Sequence, residues 1–186
     1  MKNAAMEFRL GGSGGQGLIL AGIILADAAI MEGKNAVQTQ SYGPEARGGA
    51  SKAEVIISES AIDYPKVTMP NVLLCLSDEA YRKYGQVVDP NGLVITDTSM
   101  HLPLPNEKTM VPLYRLPVLS IAREKIGRGL TANMVALGCL NALTKSVSDA
   151  SLEQAISERV PAGTAELNLK AYRAGLAAAQ QLLIAK

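Results

Sequence analysis

The chain has 186 residues, 48% of them apolar, with 18 Lys or Arg against 17 Asp or Glu and a formal net charge of +1. That length suits one domain with a sizeable core, and the near-neutral charge gives no electrostatic basis for gripping nucleic acid or an anionic membrane. Two cysteines and one histidine cannot supply the four thiolates of an iron–sulfur cluster, so no metal redox centre is expected on this chain.

Met6-Glu7-Phe8-Arg9-Leu10 reads as an opening strand. It runs into Gly11-Gly12-Ser13-Gly14-Gly15-Gln16-Gly17, five glycines in seven residues, and then into the almost wholly apolar Leu18 to Met31. The pattern is strand, glycine loop, buried helix. The apolar run is fourteen residues long, too short to span a bilayer, and Asp27 interrupts it. Glycines let the backbone turn tightly and leave the first N–H groups of the helix uncovered, so such a loop can cradle a phosphate or carboxylate. A plain turn without a ligand is the alternative.

Gly12-x-Gly14-x-x-Gly17 fits the dinucleotide fingerprint. That fingerprint also demands an acidic side chain about 20 residues on, at the end of the next strand, to hold ribose hydroxyls. The next strand, Asn35-Ala36-Val37-Gln38-Thr39-Gln40, ends in amides and a hydroxyl. No Gly-Lys-Ser/Thr follows the glycines, so a P-loop fails too. Directly after this strand comes Ser41-Tyr42-Gly43-Pro44-Glu45-Ala46-Arg47-Gly48-Gly49-Ala50-Ser51, which leads into a strand with no helix between. A loop at a strand's carboxyl end lies where open α/β sheets bind ligands, beside the first glycine loop. Arg47, flanked by glycine, has an unshielded fork suited to phosphate or carboxylate, although pairing with Glu45 or a neighbouring loop would serve equally.

Lys52 to Ser58 alternates and then runs apolar, which predicts a half-buried strand. Asn71 to Ser77 is a continuous apolar run, the mark of a central strand covered on both faces, and Ser77 or Asp78 can cap a helix through Tyr84. Pro90-Asn91-Gly92 is a turn before the buried strand Leu93 to Asp97. A loop interrupted by Pro103 and Pro105 leads to an extended piece from Met110 to Leu116. Pro117 starts a helix from Val118 to Ile126, and Gly127-Arg128-Gly129 breaks the chain before a helix from Thr131 to about Lys145. Ser151-x-x-Gln154 has the form of a capping box for a helix toward Val160, and an alanine-rich helix runs from Ala165 to about Ala185. Alternating strands and helices followed by a run of helices predict an α/β fold: a single layered domain, 1–186, with a mixed, mostly parallel sheet, helices on both faces and a helical C-terminal part.

Cys75 and Cys139 lie far apart in apolar segments and are expected as buried reduced thiols. His101 reads as a solvated loop side chain, and Asp78-Glu79 as helix-capping carboxylates. Arg123, Lys125 and Arg128 gather near a helix C-terminus and complement its dipole, and Arg128 between two glycines can reach a partner or phosphate. The N-terminal residues show neither a basic region nor a cleavage site, so a cytoplasmic location is expected.

Taken together, Gly12-Ser13-Gly14-Gly15-Gln16-Gly17, Leu25-Ala26-Asp27-Ala28-Ala29 and Ser41-Tyr42-Gly43-Pro44-Glu45-Ala46-Arg47-Gly48-Gly49 resemble the gamma subunit of 2-oxoacid:ferredoxin oxidoreductases. Gly129-Leu130-Thr131-Ala132-Asn133-Met134, Ala136-Leu137-Gly138 and Asn168-x-x-Ala171-x-x-x-Gly175 carry the likeness to the C-terminal end. The resemblance implies a subunit of a complex that oxidatively decarboxylates a 2-oxoacid, transfers the acyl group to coenzyme A and passes two electrons to ferredoxin. It implies thiamine diphosphate, magnesium and iron–sulfur clusters on partner subunits and none here, with coenzyme A as co-substrate. Partners would be alpha and beta subunits, a delta subunit as a further candidate, and ferredoxin through the complex. The residues implicated in contact with coenzyme A or a companion subunit are Gly12, Gly14, Gly15, Gln16, Gly17, Arg47, Gly48 and Gly49. Ser13 and Glu45-Ala46-Arg47 depart from the pyruvate-type motifs, and Tyr42-Gly43-Pro44 from the indolepyruvate type. The pattern looks closest to 2-oxoglutarate:ferredoxin oxidoreductase, with the branched-chain enzymes next. The alternative function is a free-standing nucleotide-binding α/β enzyme using the glycine loop alone.

Overall fold

Phe8 and Leu10 face one side of the opening strand and Arg9 the other, and this two-residue period sets the layers of the fold. The computed structural model describes residues 5–41, 50–102 and 111–185. Strands β1 (Met6–Ser13), β2 (Asn35–Gln40), β3 (Ala50–Ser58), β4 (Val72–Cys75), β5 (Leu93–Asp97) and β6 (Leu113–Leu116) form one sheet in the order β2-β3-β1-β4-β5-β6. β1, β4, β5 and β6 are parallel, whereas β3 runs antiparallel to both β1 and β2. β2 therefore points the same way as β1 but is separated from it by β3.

The helices are α1 (Leu18–Met31), α2 (Asp78–Tyr84), α3 (Val118–Ser120), α4 (Ala132–Thr144), α5 (Asp149–Arg159) and α6 (Ala165–Ile184). On one face Phe8, Leu10, Val55, Val72, Leu74 and Ile95 share a core with α1 and the C-terminal helices. On the other, Leu73, Cys75 and Val94 pack with Ala80 and Tyr84 of the short α2. Both faces of β4 are covered, as its unbroken apolar run predicts. Among the described residues no helix is long and apolar enough to cross a membrane.

α4 is buried almost throughout, and it crosses α6 at unusually close range. A Cβ on Gly138 would lie 2.1 Å from the carbonyl oxygen of Tyr172, and one on Gly175 would lie 2.0 Å from that of Val135. Only glycine lets the two backbones touch here. Asn141, fully buried in α4, donates to Asp149 at the start of α5 (2.9 Å) and to the Tyr172 hydroxyl of α6 (3.3 Å), and Tyr172 donates to Asp149 (2.7 Å). Burial first, and then Asp149, drive the Tyr172 phenol far above its usual range.

Three local expectations are corrected. β3 is buried along most of its length rather than half-buried, because both α1 and α2 pack against it. Arg9 donates to the Val67 carbonyl (2.9 Å) and pairs with its cross-strand neighbour Glu54 (2.7 Å). The cap of α5 is Ser148, which accepts the Ser151 N–H (3.1 Å), while Gln154 instead donates to Glu158. The helix expected from Val118 to Ile126 is α-helical only to Ser120, then winds as a π-turn over Ile121–Lys125 closed by Ile126 N–H to Ile121 carbonyl (3.0 Å).

Candidate functional site

After β1 the chain passes to α1 on one face of the sheet, and after β4 to α2 on the other. β1 and β4 are neighbours, so the crevice beyond their carboxyl ends is the topological switch point, the place where open α/β sheets take ligands. The glycine loop lies there. Ser13, Gly14 and Gly15 are exposed at its tip, and Gly15 and Gly17 have left-handed backbones (φ 87° and 72°).

The switch point is occupied by the protein itself. The Gln16 side chain folds back across it, accepting the Ser13 N–H at Oε1 (2.8 Å) and donating through Nε2 to the Leu76 carbonyl beyond β4 (3.2 Å). A Cβ on Gly12 would lie 2.2 Å from that Oε1, so Gly12 makes room for the amide. Gly17 caps α1 with no side-chain hydrogen bond, and its carbonyl accepts the Asn133 amide (3.1 Å) from the first turn of α4. Gly12 and Gly17 are thus packed from within, while the Ser13–Gly15 tip is open to a ligand or partner.

Strand order explains the missing ribose acid in a second way. In a dinucleotide site the strand after α1 lies next to β1, yet here β3 intervenes and β2 is at the sheet edge. Any acid at the end of β2 would be two strands away. The second glycine-rich motif, with Arg47, Gly48 and Gly49, lies outside the described residues. Its flanks do not: Ser41 donates to Lys52 (3.3 Å), Ala50 pairs with Ser13, and Ser51 donates to the Gly12 carbonyl (3.1 Å). Both flanks of the motif are thus anchored at the end of the sheet where β1 runs into the glycine loop.

The remaining candidates are engaged in capping, buried or exposed to solvent. The His101 side chain is 94% exposed, with Nδ1 3.8 Å from Asp78, and its backbone N–H donates to the same carboxylate. Ser77 caps α2 by accepting the Ala80 N–H, with Asp78 and Glu79 in the first turn. Cys75 and Cys139 are free and buried, and burial pushes both thiols up to about 12. Among the described residues no three His, Cys, Asp or Glu side chains converge as metal ligands. Asn133, which latches α4 onto the glycine loop, was recognisable only as part of a resemblance. Its physical signal, shared with Asn141, is a buried amide in a mainly apolar helix.

Residues 7–178 match the family model described as pyruvate ferredoxin/flavodoxin oxidoreductase. The chain is 49% identical, over 95% of both sequences, to the 2-oxoglutarate synthase subunit KorC of Methanocaldococcus jannaschii. It superposes with a TM-score of 0.83 on the keto/oxoacid ferredoxin oxidoreductase gamma subunit of Geobacter sulfurreducens, at 42% identity, covering 96% of this chain and 98% of that one. The same fold recurs within the 2-oxoglutarate:ferredoxin oxidoreductase of Magnetococcus marinus, with a TM-score of 0.81, 22% identity, and coverage of 97% of this chain but 32% of that one. The chain belongs to the pyruvate ferredoxin/flavodoxin oxidoreductase family.

Proposed function

We propose that this chain is the gamma subunit of a 2-oxoglutarate:ferredoxin oxidoreductase, an assembly that oxidatively decarboxylates 2-oxoglutarate to the acyl-coenzyme A and passes two electrons to ferredoxin. The observation that carries the reading is the 49% identity to a 2-oxoglutarate synthase subunit over nearly the whole of both chains. Thiamine diphosphate, magnesium and iron–sulfur clusters would then belong to alpha, beta or delta companions. The self-filled switch point speaks against a free-standing nucleotide enzyme. Within the assembly the exposed Ser13–Gly15 tip, together with Arg47, Gly48 and Gly49, faces either coenzyme A phosphates or an acidic group of a companion. An Arg fork flanked by glycine serves both.

Reconstitution tests this. The companion subunits with this chain should reduce ferredoxin in the presence of 2-oxoglutarate and coenzyme A, with pyruvate and branched-chain 2-oxoacids turned over far more slowly. Omitting this chain should abolish the activity. Arg47→Ala should raise the coenzyme A KM if the side chain holds a phosphate, with Arg47→Lys restoring it only in part. If Arg47 is an assembly contact, yield should fall with KM intact. Turnover without this chain, or a preference for another 2-oxoacid, would overturn the proposal.

A further inference from the structure

Beside the glycine loop, on the α1 face of the sheet, lies a groove lined by Leu20, Leu130, Val160 and Leu167. The polar side chains along it already have internal partners. Asn133 donates to Gly17, Thr131 to the Arg128 carbonyl (2.8 Å), Asn168 to Thr164 (2.8 Å) and Thr164 to the Pro161 carbonyl (2.7 Å). What the groove offers is therefore apolar surface. Its volume of about 180 Å³ is below the roughly 300–1,000 Å³ of small-molecule sites, so it suits one inserted side chain rather than a nucleotide.

The rim is charged. Arg128 lines the groove and is exposed, and its guanidinium has no hydrogen-bond or ion-pair partner among the described residues. The loop carrying it folds back on the π-turn, with Arg128 N–H on the Ala122 carbonyl (2.9 Å), so Arg123 lies against Gly129. Arg123, Glu124, Lys125 and Arg128 are all exposed along this stretch of the chain, three cations to one carboxylate. Leu130 stands in it 67% exposed, one of the most exposed large apolar side chains of the chain. By contrast, the exposed Arg159 and Arg173 have their own carboxylate partners in Asp27 and Glu153.

We infer that this groove and its basic rim dock a companion subunit through an apolar anchor side chain that carries an Asp or Glu within one helical turn. The anchor enters between Leu20, Leu130 and Leu167, and the carboxylate meets Arg128. Such a pairing of filled pocket and charged rim is how protein interfaces concentrate their affinity. The inference rests on the reading of this chain as a subunit, and it names the surface that the reading requires.

The test uses the reconstituted complex. Leu130→Asp and Arg128→Glu should each weaken association with the companions at least about tenfold, with an affinity that falls as salt rises for the wild type and less so for Arg128→Glu. Lys66→Glu, at an exposed residue that does not line the groove, should change nothing. Both sites are exposed, so far-UV circular dichroism should match wild type. A photo-crosslinking residue at position 130 should capture a companion peptide with a carboxylate within four residues of an apolar side chain. Unchanged affinity of both variants, a crosslink only to a second copy of this chain, or a raised coenzyme A KM with assembly intact would each overturn the docking proposal. Failure of the wild-type chain to bind any companion would instead overturn the subunit reading.

Discussion

Gly15 and Gly17 share a left-handed backbone, with φ of 87° and 72°, but their surroundings separate them. Nothing lies within 4 Å of a Cβ built on Gly15, whereas one on Gly17 would come within 2.6 Å of the Asn133 amide nitrogen. Gly15→Ala meets only backbone strain, about 1–2 kcal/mol. Gly17→Ala adds the loss of the Asn133 hydrogen bond, a further ~1 kcal/mol or more, and frees the start of α4 from the loop. Urea unfolding of the two variants should show the larger drop for Gly17→Ala, and the reverse order would refute the packing argument. Gln16 explains why a glycine fingerprint misleads when read alone: its side chain fills the place that the fingerprint reserves for a ligand.

At the scale of elements, the joint between α4 and α6 decides how the C-terminal half packs. Gly138 and Gly175 bring backbone against backbone, and the Cys139 thiol reaches the Gly175 carbonyl (3.4 Å). A methyl at either glycine meets a carbonyl that cannot rotate away, so the helices must part. Gly138→Ala should cost about 3 kcal/mol, the upper part of the overpacking range, despite the higher helix propensity of alanine. Chemical denaturation measures it, and a neutral or stabilising result would mean the helices slide apart freely. The parting would also disturb the Asn141, Asp149 and Tyr172 cluster that joins α4, α5 and α6.

Across the whole molecule, one carboxylate gathers distant parts of the chain. Glu32, at the end of α1, accepts the Ser148 N–H that opens α5 and pairs with Lys34 (2.9 Å), which also donates to the Ser146 carbonyl (2.8 Å). Burial alone would raise its pKa. The Ser148 backbone and the Lys34 ammonium outweigh burial and hold it at about 2, against the ordinary 4.5. A folded pKa below the unfolded one stabilises the fold fully above about pH 4.5, and that contribution is lost as pH falls toward 2. Glu153, lowered chiefly by its hydrogen bond from Arg173, acts in the same direction between α5 and α6. Denaturation midpoints taken from pH 6 down to 2 should therefore fall, and Glu32→Gln should flatten part of that fall while starting lower at neutral pH. Equal slopes for variant and wild type would show that Glu32 does not carry the acid sensitivity.

The bounds of α1 and β5 were legible from the chain, because each is an apolar run whose flanking breakers act locally, and those of β2 from its place after the glycine loop and α1. The covering of β4 on both faces and the burial of both cysteines followed from the same local signal. The glycine loop was legible as a motif, though its state was not. That β3 lies between β1 and β2, and so removes the neighbour a dinucleotide site needs, depends on pairings between residues far apart in sequence. So do the Gln16 bridge to Leu76, the Asn133 latch on Gly17, the buried pairing of Arg9 with Glu54, and the groove that Arg128 borders. Periodicity reports which face of an element is apolar. Which other element covers that face, and which polar groups then meet across the contact, is decided only when the whole chain packs.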